Sequence, residues 1–362
     1  MMRRFLSFVV LFLVALILPF GCTGSNQTNV SDGNTPSNVL SVYNWSTYIA
    51  REVITQFEKE FNAKIKYDTY ENSEALYAKI QPGNPGYDVA FPGDYMVEIM
   101  ANEGLLEELN LENIPNRTHL DSTFLNAPYD PENRYSLPYQ WGTLGIGYNI
   151  TATNNQEIDS WAAMFDPKFA GRTAWLDDMR HTLGVVLMYL GFDPNTTNSA
   201  EIQQARDFLI KHRDAIAAFA PDTGQILLDQ GEVDLTHEWS GDIFQVMEEN
   251  DQIRYAIPQE GTIVWTDNMV ILKNAPNKEL AERFINFILE PEIGAKISNF
   301  IRYGSPNKTA KDKGLINATD LQNPAIYPPP EVFAELKYIN DVGQATQLYD
   351  EAWNEVKVAV GK

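Results

Sequence analysis

Five short clusters of rings, carboxylates and hydroxyls are spread along this chain: Asn44-Trp45-Ser46-Thr47-Tyr48, Gly93-Asp94-Tyr95, Asp177-Asp178, Trp239-Ser240-Gly241-Asp242 and Trp265-Thr266-Asp267. Most of them directly follow a run that reads as a β-strand. An organic cation with an apolar body needs this combination: carboxylates for its charged heads and ring faces for its methylenes. A cation over a Trp or Tyr face gains roughly 0.5 to 2 kcal/mol, and a hydrogen bond to a charged group contributes roughly 1.5 to 3 kcal/mol. One acid and one ring give weak binding. Two acids and three rings around a desolvated ligand reach the micromolar range.

Each residue also has an ordinary structural role open to it. Trp45, Trp239 and Trp265 suit a core or a domain interface. Asp178 precedes the helical run from Thr182 to Leu190 and can cap it, and Asp242 can cap a helix beginning at Ile243. Asp267 lies inside the apolar run Ile263 to Leu272, where burying a carboxylate without a partner is costly, so it needs either a ligand or a structural hydrogen bond. The four histidines, His119, His181, His212 and His237, have no metal-ligand spacing. No phosphate loop, nucleophile elbow or histidine-glutamate metal motif is present, and no cofactor or metal is expected. Gly142-Thr143-Leu144-Gly145-Ile146-Gly147 has the wrong spacing for a dinucleotide fingerprint.

The elements that must position these residues alternate. Val39 to Asn44 is β-branched and aromatic, and Glu52 to Asn62 follows with Val53, Ile54, Phe57 and Phe61 at helical spacing. Lys64 to Tyr70 alternates as a strand, Asn72 or Ser73 caps a helix through Ile80, and Pro82-Gly83-Asn84-Pro85-Gly86 ends it. Tyr87 to Phe91 reads as a third strand and Tyr95 to Asn102 as a third helix. Repeated βα units predict an α/β fold with a parallel or mixed sheet, in which ligands bind at the carboxyl ends of strands. The clusters fall at those ends. The stretches Tyr139 to Asn149 and Trp265 to Leu272 read as chain crossings between two lobes, with the last fifty or so residues closing onto the second lobe.

The N-terminus predicts export. Arg3 and Arg4 precede an apolar stretch from Phe5 to Leu18 that has the proportions of a secretory signal and is too short for a membrane span. It runs into Leu18-Pro19-Phe20-Gly21-Cys22, which resembles the lipobox of a bacterial lipoprotein, although Leu18 stands one place further from the cysteine than the usual pattern. Cys22 is the single cysteine, so no internal disulfide can form. Lipidation at Cys22 is expected; the alternative is a conventional signal cut nearby. Thr23 to Asn38 has the composition of a flexible tether, favouring the anchor. The net charge of −22 becomes −24 once Arg3 and Arg4 leave with the signal, which argues against nucleic acid as a partner and favours cationic solutes.

The segments Val42-Tyr43-Asn44-Trp45, Asp177-Asp178-Met179-Arg180, Trp265-Thr266-Asp267, Tyr303-Gly304-Ser305-Pro306-Asn307 and Asn340-Asp341-Val342-Gly343 together resemble the spermidine/putrescine-binding proteins of ABC transporters. Tyr327-Pro328-Pro329 and Tyr135 to Asn149 match as well, so the similarity runs from Val39 to Lys357. It implies a two-lobed type II periplasmic-binding-protein fold of mixed sheets flanked by helices. On that pattern residues 1–21 are the signal peptide and 22–38 the tether. Residues 39–142 and 266–311 form lobe one, and 143–265 and 312–362 form lobe two. The implied ligand residues are Trp45, Ser46, Tyr48, Asp94, Tyr95, Asp178, His181, Trp239, Asp242, Trp265, Asp267 and Tyr303.

Four positions depart from the family pattern. His181 stands where a glutamate is common, Ile339 where a glutamine is, Thr47 where an acid is frequent and Gly93 where a serine is. Asp242 matches an aspartate of the putrescine-preferring branch. The resemblance implies a monomer that captures a polyamine without chemistry, closes over it and presents it to an ABC permease with its ATPase. It implies a place in the periplasm or at the outer face of the cell membrane. Capture of another amine, a sugar or iron is the alternative within binding proteins, and an exported hydrolase is the alternative outside them.

Overall fold

The computed structural model describes residues 38–361. The expected signal peptide, Cys22 and all of the tether except Asn38 lie outside the described residues.

Hydrophobic alternation makes β1 (Val39–Trp45), whose Leu40 and Val42 are fully buried. Helix α1 (Arg51–Glu60) buries Val53 and Phe57, one turn apart, and β2 (Lys64–Tyr70) returns parallel to β1 with Val39 opposite Lys64. Asn72 caps α2 (Ser73–Ile80) by accepting from the Ala75 amide. The third strand is shorter than its sequence indicates: β3 spans only Val89–Ala90, because Pro92 and Gly93 turn the chain directly into α3 (Asp94–Asn102).

The spine of the sheet is β4 (Ser136–Asn149), buried along almost its whole length. Strands β5 (Thr173–Leu176), β6 (Ile216–Ala220), β7 (Leu235–Trp239) and β8 (Ile253–Ala256) follow, separated by α4 (Met179–Tyr189), α5 (Ser199–Lys211), α6 (Gly224–Asp229) and α7 (Ser240–Glu249). The chain returns through β9 (Val264–Ile271) to α8 (Lys278–Ile288) and α9 (Pro291–Ile301). The sheet order is β2-β1-β3-β9-β4-β7-β5-β6, with β8 also on β4. Residues Ser136 to Thr143 of β4 pair antiparallel with β9, whereas Leu144 to Asn149 pair with β7 and β8. One strand therefore belongs to both halves of the sheet. The fold is the two-lobed, mixed α/β fold of periplasmic binding proteins, as the solved structures compared below bear out.

Two large apolar clusters flank this spine. In one, Phe57 of α1 meets Phe284 of α8 edge-on at 5.0 Å, beside Phe287 and Ile285. In the other, the C-terminal helix Thr346–Val360 buries Tyr349, Trp353 and Val356 among residues of α4 and α5, and Trp353 meets Phe219 of β6 at 4.8 Å. Fully burying each such side chain is worth roughly 1.5 to 3 kcal/mol. Among the described residues no helix is long and apolar enough to cross a membrane.

Candidate functional site

Strands β1, β3, β5, β6 and β7 all point their carboxyl ends to one region, and β9, running the other way, begins there. The turns after β1, β3, β6 and β7 and the start of β9 supply most of the lining of one cavity: Trp45, Ser46, Tyr48, Gly93, Asp94, Tyr95, Asp222, Trp239, Asp242, Trp265 and Asp267, with Ser73, His181 and Tyr303 completing it. Its volume is about 490 Å³, open mouth included. Eleven of the twelve expected ligand residues line it; Asp178 does not. Ser73, Gly93 and Asp222 were not among the expected residues.

Four rings stand edge to face along the walls. Trp239 meets Trp265 at 5.6 Å and 85°, Trp265 meets Tyr303 at 5.0 Å and 73°, and Trp45 approaches Trp239 at 6.5 Å. Glycines permit this closeness. A Cβ on Gly241 would lie 2.6 Å from the Tyr303 ring, and one on Gly142 would lie 2.7 Å from Trp265. The Trp45 indole is fixed by its Nε1–H donating to the Phe91 carbonyl at 3.0 Å.

The acids sit among these rings without a lysine or arginine partner among the described residues. Asp267 Oδ2 accepts from the Tyr48 hydroxyl at 2.7 Å, and Asp242 Oδ2 from the Tyr303 hydroxyl at 2.6 Å. Asp94, the first residue of α3, accepts from the Tyr95 amide at 2.8 Å and from the Thr266 amide at 3.2 Å. Asp222 accepts from the Ser46 hydroxyl. Among the described residues none of these four carboxylates forms a salt bridge. Burial accordingly pushes Asp267 up to about 8 and Asp94 and Asp242 up to about 6. Asp222 is also raised well above the usual aspartate value, by burial and by the charge of Asp242.

Asp178 has the capping role that its position before a helix allows. It is the N-cap of α4, accepting the His181 amide at 3.0 Å, and its Oδ1 also lies 2.8 Å from His181 Nδ1. The carboxylate faces the histidine, and the histidine faces the cavity. Burial works against charge on both partners, but their mutual attraction prevails: Asp178 is lowered, and His181 is raised with help from Asp94 and Glu74. His181 Nε2 is buried without a partner. Asp242 does not cap a helix starting at Ile243, because α7 begins at Ser240 and Asp242 lies within its first turn. Of the other departures, Thr47 points to solvent and Ile339 is buried in the core beside Gly184. His237 is enclosed by Trp161 and Trp175, and burial depresses it to about 3.

Residues 52–326 match the family model of the bacterial extracellular solute-binding proteins. The chain belongs to that family. This solute-binding protein is 35% identical to the spermidine/putrescine-binding periplasmic protein of Escherichia coli K12, over 92% of its own length and 94% of that relative's. It is 31% identical to the putrescine-binding periplasmic protein PotF of the same organism, over 88% and 91% of the two chains. Among solved structures, it superposes on the spermidine/putrescine ABC transporter substrate-binding protein PotD of Streptococcus pneumoniae, solved with calcium and HEPES. That match has a TM-score of 0.76 and 33% identity, and covers 90% of this chain and 100% of the other. The Tp0655 lipoprotein of Treponema pallidum matches with a TM-score of 0.76 and 30% identity, covering 88% of the solute-binding protein and 99% of its counterpart.

Proposed function

We propose that this solute-binding protein captures a polyamine, putrescine or spermidine, and delivers it to an ABC importer. One observation carries the reading: four buried or half-buried carboxylates, Asp94, Asp222, Asp242 and Asp267, face a ring-walled cavity in which, among the described residues, no lysine or arginine meets them and the one nearby histidine, His181, is paired with Asp178. An uncompensated buried charge costs several kcal/mol, so a site built this way is completed by a cation that arrives from outside. The rings select a cation with a methylene body over a hydrated metal ion. The names of the relatives agree with this ligand class.

The binding mechanism is capture without bond chemistry. The ligand's heads meet the carboxylates and its chain lies against Trp239, Trp265 and Tyr303. Closing the two lobes excludes water, which strengthens each charge pair. Lobe boundaries at 142/143 and 265/266 are supported by the change of partners along β4 between Thr143 and Leu144 and by the start of β9 at Val264. A closed monomer is then recognised by a permease with its ATPase. Export to the periplasm or the outer face of the cell membrane, with a lipid on Cys22, completes the proposal; the Treponema relative, a named lipoprotein, agrees with it.

A thermal-shift panel of putrescine, spermidine, spermine, sugars and ferric salts tests the reading. Stabilisation by amines alone is expected. Stabilisation by iron or a sugar, with none by amines, overturns it, and a ligand consumed during long incubation points to the hydrolase instead.

A further inference from the structure

The cavity's acids are not evenly spread. Asp222, Asp242 and the fully buried Glu238 each offer a carboxylate oxygen, and these oxygens all lie within 4.8 Å of one another. Two come from turns after neighbouring elements: Asp222 follows β6 and holds φ at 43°, in the left-handed region, and Asp242 lies in the first turn of α7. Glu238 comes from β7, immediately before Trp239, whose amide donates to its Oε1 at 3.0 Å. Its Oε2 and the hydroxyl of Thr236, two residues away on the same face of the strand, both lie against Gly224 at the start of α6, whose amide favours the charged carboxylate while burial opposes it. Three carboxylates crowd one corner, and among the described residues none of them forms an ion pair, so the corner calls for a cationic donor from outside.

The spacing admits an ammonium as that donor. A primary ammonium carries three N–H groups in tetrahedral array, and with N···O distances of about 2.8 Å its acceptors stand about 4.6 Å apart, inside the limit these oxygens keep. Calcium and magnesium take about six or more oxygen ligands, whereas this corner offers three carboxylates beside ring surface. Tyr303 and Trp239 border this end of the cavity and supply ring surface, which suits a methylene next to the charge.

We propose that Asp222 is a specificity-determining residue: with Asp242, and with Glu238 behind them, it seats one terminal primary ammonium of a diamine. The inference rests on the amine-binding reading above. The second head goes to Asp267 with Asp94. Asp178 lies outside the cavity lining, with its Oδ1 on His181. Two seats along the cavity match a ligand with two heads. The Ser46 hydroxyl holds Asp222 in place from the turn after β1, and the amine displaces no other partner of this carboxylate.

The acids facing Asp222 from neighbouring elements are Asp242, Glu238, Glu71 and Asp267, and the hydroxyl groups are those of Ser46, Tyr70 and Tyr303. None is cationic, so seating an ammonium there releases a proton that burial had retained.

The test is calorimetric titration of the wild type, Asp222→Asn and Ser46→Ala with putrescine in phosphate and in HEPES, plus calcium chloride on the wild type in HEPES. Asp222→Asn is expected to weaken putrescine about 10- to 100-fold and to reduce the protons released, whereas Ser46→Ala weakens it by no more than about 3-fold. Equal effects of the two substitutions reduce Asp222 to a tie with Ser46 and overturn the proposal. So does unchanged putrescine binding by Asp222→Asn, or calcium that competes with putrescine in the wild type. A melting temperature within about 3 °C of wild type shows that the variants are folded. If the wild type binds putrescine and Asp222→Asn binds it equally well, this inference alone falls. If the wild type binds no amine, the proposed function falls with it.

Discussion

His181 Nδ1 lies 2.8 Å from Asp178 Oδ1, with both side chains almost completely buried, and the other ring nitrogen faces the cavity without a partner. The pair resolves a conflict in the sequence. A histidine stands where the resemblance implies an acid, and it is paired with the neighbouring aspartate through one carboxylate oxygen. The acids that line the cavity are Asp94, Asp222, Asp242 and Asp267.

Removing either member leaves the other buried and uncompensated. Asp178→Ala is expected to cost roughly 3 to 5 kcal/mol, since it also deletes the cap of α4. Asp178→Asn keeps the cap and removes only the charge. Its deficit relative to wild type opens as pH rises through the lowered Asp178 value, below 3.8, and closes as pH rises through the raised His181 value, above 6.5. Denaturant melts of the two ligand-free proteins from pH 3 to pH 9 measure this window. A deficit independent of pH would contradict the ion pair.

Asp267, Asp94 and Asp242 give stability the opposite dependence. Their folded values lie near 8, 6 and 6, above the ordinary 3.8, so their contribution is complete below that ordinary value and is lost as pH rises through the folded ones. The ligand-free protein is therefore expected to lose a few kcal/mol between pH 5.5 and pH 8.5, and an amine restores it. Asp267→Asn flattens the loss and weakens amine binding about 10- to 100-fold. Melting curves with and without putrescine at both pH values check this; stability rising with pH in the ligand-free form would contradict it.

Tyr303 holds Asp242 and leans on Gly241. Gly241→Ala puts a methyl 2.6 Å from the ring, which must move, at a cost of about 1 to 3 kcal/mol. Tyr303→Phe keeps the ring and removes the donor to Asp242. Both are expected to reduce amine affinity, with only Gly241→Ala also lowering the melting temperature by several degrees. Titration and thermal melts of the two variants separate packing from hydrogen bonding.

Trp239 lies between Trp45, Trp265 and the His181 ring, with ring centroids at 6.5, 5.6 and 5.0 Å. Trp239→Leu keeps an apolar side chain at this half-buried position and loses the ring face. Amine affinity should fall about 5- to 30-fold, the scale of a desolvated cation–π contact, while the melting temperature changes little. Unchanged affinity would remove the aromatic wall from the account.

Much of this was legible in the sequence wherever local chemistry and fold agree. The alternation of Lys64 to Tyr70 and the Asn72 cap give β2 and α2 their observed bounds. The rings and acids after β1, β3 and β7 converge as the βα pattern demands. Asp222 escaped notice because Pro221-Asp222-Thr223 reads as a bare turn with no adjacent ring. Its signal was positional: like Asp94, it follows the end of a short apolar strand, Ile216–Ala220. Asp178 is ambiguous for a different reason. Its capping role and the role the resemblance implies draw on the same side chain, and the cap and the His181 contact are the partners the structure gives it.

The central claim is that uncompensated carboxylates in a ring-walled cavity await a cationic amine. Titration of the purified full-length protein with putrescine, in acetate and in MES at about pH 5.5 and in phosphate and in HEPES at about pH 8, tests it most directly. The account predicts one site per chain, net proton release on binding, and tighter binding at pH 8 than at pH 5.5, because Asp94, Asp242 and Asp267, raised to about 6, 6 and 8, must be charged to receive the ligand. No binding of putrescine or spermidine at either pH, or tighter binding at pH 5.5, would contradict it.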